Sequence, residues 1–128
     1  MERYFFDMLQ PGEEECVFRL STLTELEILC LQKYGNLPAI AVQNQVISYK
    51  ELWNRVACVR TGLYEAGLKK GSLIGIALPN HVDAVVCFLA VVTAGGVAAM
   101  LPAATSTEGL VKPCTLLRPQ FVITYLPE

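Results

Sequence analysis

The run AVVCFLAVVTAGGVAAMLPAA, Ala84 to Ala104, carries no charged side chain, and Thr93 is its only polar one. Its length matches a bilayer span, which needs about 20 apolar residues in one helix. Gly95-Gly96 interrupt it, however, and Pro102 lies near its end. It has no aromatic belt, and its flanks offer Asp83 and Glu108 instead of anchoring Lys or Arg. A helix over about residues 81–94, a glycine turn and a buried strand over residues 97–101 account for each of these features. The run is therefore expected to be the interior of an aqueous fold. A single span over residues 84–104 is the competing reading.

The apolar excess extends beyond this run. Hydrophobic residues make up 53% of the 128 and charged ones 17%, against about 45–50% and about 25% in ordinary soluble domains. Small domains bury proportionally less surface than large ones. Such a composition implies that some apolar surface is meant for a larger whole or a partner. The net charge of −2 excludes the basic footprint of a nucleic-acid binder; the densest basic spot, Lys69-Lys70, reads as a solvated loop. Cys16, Cys30, Cys58, Cys87 and Cys114 are odd in number and include no Cys-x-x-Cys. Neither a metal site nor a disulfide framework is indicated, and a reducing, cytoplasmic setting is expected. Glu2 and Asp7 argue against a secretory signal.

Periodicity orders the rest. Residues 1–20, with the loop-like Pro11-Gly12-Glu13-Glu14-Glu15, form an N-terminal extension to a domain over residues 21–128. Thr22-x-x-Glu25 is a capping box, Leu23, Leu26, Cys30 and Tyr34 share one helical face, and Gly35 supplies a left-handed stop. Two short strands joined at Gln43-Asn44-Gln45 follow. Ser48 and Glu51 cap a second helix with a stripe of Leu52, Val56, Val59 and Leu63; Gly67 ends it and Leu68 packs back. SLIGIAL has the pattern of a buried parallel strand. Asn80 is placed to cap the next helix, with Asp83 favourable to its dipole. Thr105-x-x-Glu108 opens a last helix that Pro113 should shorten or kink, and FVITY closes as a buried strand. Helix and strand alternate from Ser48 onward, which specifies an α/β fold: a three-layer, mostly parallel sheet with βαβ crossovers, plus an N-terminal β-hairpin.

The residues themselves offer no site. Gly62-x-x-x-x-Gly67 approaches a phosphate loop, but Leu68 stands where Lys is required. Gly67 and Gly71 also close a helix and precede a strand, the reverse of the order that presents free N–H groups to an anion. His81 has no second histidine to share a metal. Cys87, six residues on, falls on a different helical face from His81, which reads as a helix-start residue. Glu13 to Glu15 form a solvated run, while Glu25, Glu51 and Glu108 belong to helix starts. No catalytic, cofactor-binding or metal-binding residue is assigned.

The stretch NLPAIAVQNQVISYKELWNRVACVRTGLYEAGLKKGSLIGIALPNHVDAVVCFLAVVTAGGVAAMLP resembles the start of the AMP-forming acyl-CoA synthetase superfamily of adenylate-forming ligases. ISYKEL, GLYEAGLKKGS, IALPN and FLAVVTAGGVAAMLP carry the resemblance by their order and spacing, over about residues 22–126. Met100, the loop LPAAT and Pro113 depart from the family's usual pattern. The resemblance implies ATP-dependent activation of a carboxylic acid to an acyl-adenylate, then transfer to a thiol or amine, with ATP and Mg²⁺ serving the complete enzyme. It also implies that the phosphate loop and catalytic lysine of such enzymes lie beyond this segment. The chain is expected to be a partial N-terminal domain, inert alone and binding no cofactor by itself, that needs the remainder of a ligase. A non-catalytic interaction or regulatory module derived from such a ligase is the alternative.

Overall fold

Capped helices alternating with short apolar strands set the architecture of the computed structural model, which describes residues 22–103 and 106–125. The expected extension, residues 1–20, lies outside them. In chain order the elements are α1 (Leu23–Tyr34), β1 (Pro38–Val42), β2 (Gln45–Ser48), α2 (Tyr49–Glu65) and β3 (Leu73–Ala77). They continue with α3 (Val82–Thr93), β4 (Val97–Met100), α4 (Glu108–Leu117) and β5 (Phe121–Thr124).

β1 and β2 form an antiparallel hairpin with Ile40 opposite Ile47 and Val42 opposite Gln45. The turn is tighter than the sequence suggests: Gln45 already belongs to β2, and Gln43 takes the left-handed conformation at φ 52°. The second sheet has the order β4-β3-β5, with both pairings parallel. β3 is enclosed on both sides, and Ile74 and Ile76 are fully buried. The steps β3–α3–β4 and β4–α4–β5 run in opposite directions across the sheet. Right-handed crossovers therefore put α3 and α4 on opposite faces, which gives the three expected layers. α1 and α2 pack with α3 on the same side of the sheet. Between them lie Leu52, Trp53, Val56, Leu63, Val86, Ala90 and Val91, all buried. Trp53, the chain's one tryptophan, is 3% exposed.

The apolar run is broken at Gly95-Gly96. Gly95 sits at φ +90°, and the Gly96 N–H returns to the Val91 carbonyl at 2.9 Å while Gly95 N–H reaches Val92 at 3.1 Å. This Schellman pairing stops α3 and points the chain into β4. α2 ends the same way: Gly67 is at φ +100°, and Leu68 N–H bonds the Leu63 carbonyl at 2.9 Å. Leu68 is buried, as the sequence predicts. Among the described residues no helix is long and apolar enough to cross a membrane.

Caps follow the sequence in two cases. Thr22 Oγ1 accepts from Glu25 N–H at 3.1 Å, and Ser48 Oγ from Glu51 N–H at 3.2 Å. The Glu51 carboxylate turns forward to Arg55 at 2.6 Å.

Other details differ. Gly35 is right-handed, at φ −49°, because other bonds make the turn: Leu37 N–H reaches back to Tyr34 locally, and from α2 the Lys50 N–H takes the Gly35 carbonyl at 2.9 Å. The cap of α3 is His81, not Asn80; its Nδ1 accepts from Asp83 N–H at 3.4 Å. Thr105 lies outside the described residues. The cap position of α4 is Thr107, which makes no side-chain capping bond. That helix continues through Pro113 to Leu117 and stops at Arg118, left-handed at φ 50°. β5 is half-buried along its length, not buried, because it forms an edge of the sheet.

One buried polar group has no counterpart in the sequence reading. Glu27 on α1 is 9% exposed and faces Arg60 on α2 through two bonds, of 3.0 and 3.2 Å. Arg60 also donates to Thr93 Oγ1 at 2.9 Å, and that hydroxyl donates to the Leu89 carbonyl at 2.6 Å. The lone polar side chain of the apolar run thus helps tie three helices together. The bidentate carboxylate bond raises the Arg60 pKa further, against its desolvation.

Two outcomes follow for stability. In chemical denaturation, Glu27→Ala and Arg60→Ala should each cost about 1–3 kcal/mol, since each strands its partner at low exposure. The double variant should lose less than the sum. Gly96→Ala should cost about 1–3 kcal/mol, because its Cβ would lie 3.0 Å from Val91 Cγ1 and 3.2 Å from Ser72 O.

Candidate functional site

In an open α/β sheet, ligands favour the crevice outside the carboxyl ends of neighbouring strands whose following helices lie on opposite faces. Here β3 and β4 are that pair. Their carboxyl ends lead into Leu78–His81 and into Leu101-Pro102, so the crevice is built from the start of α3, these two loops and the nearby hairpin. Ile40, Val42, Asn80, His81, Val82, Ala84, Val85, Phe88 and Met100 line a cavity there of about 460 Å³. Most of these side chains are apolar, and none is Lys or Arg. Space of this size suits a small ligand or an inserted apolar side chain.

A polar trio stands at the same end of the sheet. His81 Nδ1 lies 3.6 Å from Asp83 Oδ2, and the Tyr125 hydroxyl donates a short hydrogen bond to the same carboxylate oxygen. Since His81 Nδ1 accepts the Asp83 N–H, a neutral ring in this pose carries its proton on Nε2. The bond to Asp83, then burial and the carboxylate charge, push the Tyr125 phenol up to about 12. The Tyr125 partnership spans 42 residues, and no local pattern announces it.

The structure does not assemble a reactive pair from the sequence candidates. Cys87 is buried in α3, while His81 is exposed at its start. Desolvation, then the Asp83 charge, raises the Cys87 thiol pKa, which keeps it protonated and a poor nucleophile. Burial likewise raises Cys30, with the neighbouring Trp53 N–H pulling the other way. Cys30, Cys58, Cys87 and Cys114 are all free thiols. Among the described residues no group of three His, Cys, Asp or Glu side chains could hold a metal ion.

The phosphate-loop near miss has its donors already committed. Gly67 N–H bonds Tyr64, Leu68 N–H bonds Leu63, Gly71 N–H bonds Gly95 at 2.8 Å, and Ser72 N–H bonds Lys69. Lys69 N–H is held by Ser72 Oγ at 2.9 Å. Lys69-Lys70 precede the amino end of β3, at the opposite end of the sheet from the crevice. The lysines and committed donors of that loop therefore lie away from the crevice, and no Lys or Arg lines the crevice itself. Nor do the described residues fit an ATP–Mg²⁺ pair, and no step through that pair is assigned to them.

The model of the AMP-binding enzyme family matches residues 30–128. Hexanoyl-CoA synthase of Cannabis sativa is 49% identical over 49 residues, covering 38% of this chain and 7% of that protein. Enterobactin synthase component F of Escherichia coli is 32% identical over 105 residues, covering 75% of this chain and 8% of its own. In structure, an artificially fused adenylation–PCP di-domain, NpsA-ThdA of Klebsiella oxytoca, superposes with a TM-score of 0.75 at 16% identity. It covers 88% of this chain and 22% of that one, so the likeness is one of fold. The chain thus spans less than a tenth of the length of these two curated relatives.

The trio gives a measurable outcome. The Tyr125 phenol should ionise near 12, against about 10 for an ordinary tyrosine. Asp83→Asn should bring it down toward 10, because the carboxylate is what opposes the phenolate. Difference absorbance against Tyr125→Phe over the alkaline range reads the midpoint.

Proposed function

The chain belongs to the AMP-binding enzyme family, and from that premise we propose that it is an N-terminal part of an adenylate-forming ligase, catalytically inert by itself. In the whole enzyme it supplies a wall of the domain that activates a carboxylic acid with ATP and Mg²⁺, before transfer to a thiol or amine. The observation that carries the reading is a contrast. Family likeness runs through most of the chain, yet among the described residues no Lys or Arg lines the crevice, and the glycine loop with Lys69-Lys70 sits at the opposite end of the sheet with its backbone donors committed. The relatives are consistent with this reading: one is named for a CoA thioester of hexanoate and another for a component of enterobactin synthase.

Exposed apolar side chains support the same view. Val85, Phe88 and Met100 at the crevice, Val97 at the start of β4, and Val111, Leu116 and Leu117 on α4 are all exposed. A surface of this kind is complementary to protein and not to water. It would be covered by the remainder of the ligase domain, in a reducing cytoplasmic setting that suits the free thiols. The same surface would equally serve an interaction module derived from a ligase, which is the second reading.

ATP–pyrophosphate exchange with a panel of short-chain, medium-chain and aromatic acids tests the proposal. The purified chain should give no exchange above buffer background with any acid. Exchange that tracks this chain through successive columns would overturn the claim of inertness.

A further inference from the structure

Among the described residues β4 is an edge strand, and its own sequence carries none of the charges, prolines or bulges that keep edges apart. Val97-Ala98-Ala99-Met100 contains no charge and no proline, and its pairing with β3 runs without a bulge. Val97 N–H bonds Ser72 O at 2.8 Å, and Leu101 N–H bonds Ile76 O at 2.8 Å. By the two-residue period of a strand, Val97, Ala99 and Leu101 turn their backbone groups toward β3. Ala98 and Met100 therefore turn theirs outward. The side chains at both ends of the strand are uncovered, Val97 by 51% and Met100 by 56%. β5, at the other edge, has half-buried side chains throughout, and among the described residues no strand pairs with the outer edge of β4.

This arrangement is self-complementary. Set a second copy antiparallel beside the first, with the two-fold axis passing between the Ala99 residues. Ala98 of each copy then faces Met100 of the other, and each facing pair exchanges two N–H···O bonds. Four bonds use every outward donor and acceptor on both strands. The Ala99 residues meet as the non-bonded pair, where side chains come closest and a methyl group fits. The same two-fold puts both copies of α3 on one face of the joined sheet, so Phe88 and Met100 of each copy lie on the same side as those of the other. No like charges are brought together along the seam.

We propose that this chain forms a two-fold dimer through antiparallel β4–β4 pairing, giving one continuous six-stranded sheet. The interface is isologous and closes on itself, so assembly stops at two. The inference does not depend on the ligase reading, since it rests on edge geometry and not on chemistry.

Light scattering after size exclusion tests it, with the intact chain run across a dilution series. The expected mass is about twice the 14.1 kDa of one chain, falling toward one chain on dilution. Ala98→Pro removes one outward donor per copy and spares the bonds to β3, since proline is tolerated where an edge N–H faces solvent. It should weaken the dimer at least about tenfold with the circular-dichroism signal retained. Val111→Lys on the exposed face of α4 should leave the mass unchanged. Ala99→Cys chains should form a disulfide under mild oxidation, mapped by mass spectrometry to position 99 in both peptides, because that pair sits at bridging distance. A 14.1 kDa species at every concentration overturns the proposal. So does an assembly that Val111→Lys dissolves, or one in which no 99-to-99 link forms. If Ala98→Pro proves misfolded, the mass of the unmodified chain and the 99-to-99 link decide alone.

Discussion

The Gly95-Gly96 reversal is the constraint from which most of the fold follows. An apolar segment of this length has two ways to escape water, and the turn selects between them by pairing Gly96 with Val91 and Gly95 with Val92. Having stopped α3, it delivers Val97 to Ser72 in register and accepts a bond from Gly71. One turn thus ends a helix, starts a strand and anchors the loop that leads into β3. Room is the second part of the constraint, because Val91, Leu68 and Ser72 crowd the place where a side chain on Gly96 would go. With the helix and the strand fixed, the crossover places α3 over the sheet and opens the crevice at the carboxyl ends of β3 and β4.

The Glu27–Arg60–Thr93 group locks the helical layer from the other side. A buried ion pair is poor evidence of net stability, since desolvation offsets its attraction. Its geometry nevertheless specifies an arrangement. The guanidinium has one edge for the carboxylate and a further N–H for a hydroxyl, and those partners come from α1 and α3. Apolar packing alone lets helices slide by a turn; this triad is satisfied in one position only.

Much of the architecture was legible in the sequence because it rests on short-range signals. Thr22 and Ser48 cap what they precede, Gly67 and Leu68 close α2 together, and the apolar period separates helices from strands. The failures share a cause. Gly35 is held by α2 and not by its own helix, and the imidazole of His81 competes successfully with Asn80 for the cap. Glu27 could have been suspected, since it lies between Leu23 and Cys30 on the apolar face of α1, but its partner is 33 residues away. The crevice was hidden for the same reason: the hairpin, the start of α3 and the end of β4 meet only after the chain has crossed the sheet. Family resemblance reached further than residue-level chemistry, because the likeness resides in caps, glycines and buried strands rather than in reactive groups.

The lone tryptophan has a practical consequence. Trp53 is 3% exposed and belongs to the core that α1, α2 and α3 share, Cys30 among its members. Its emission colour therefore reports one event, the closing of that helical layer over the indole. Any version of this polypeptide, whole or shortened, carries an internal optical gauge of whether that layer has closed, with no label added.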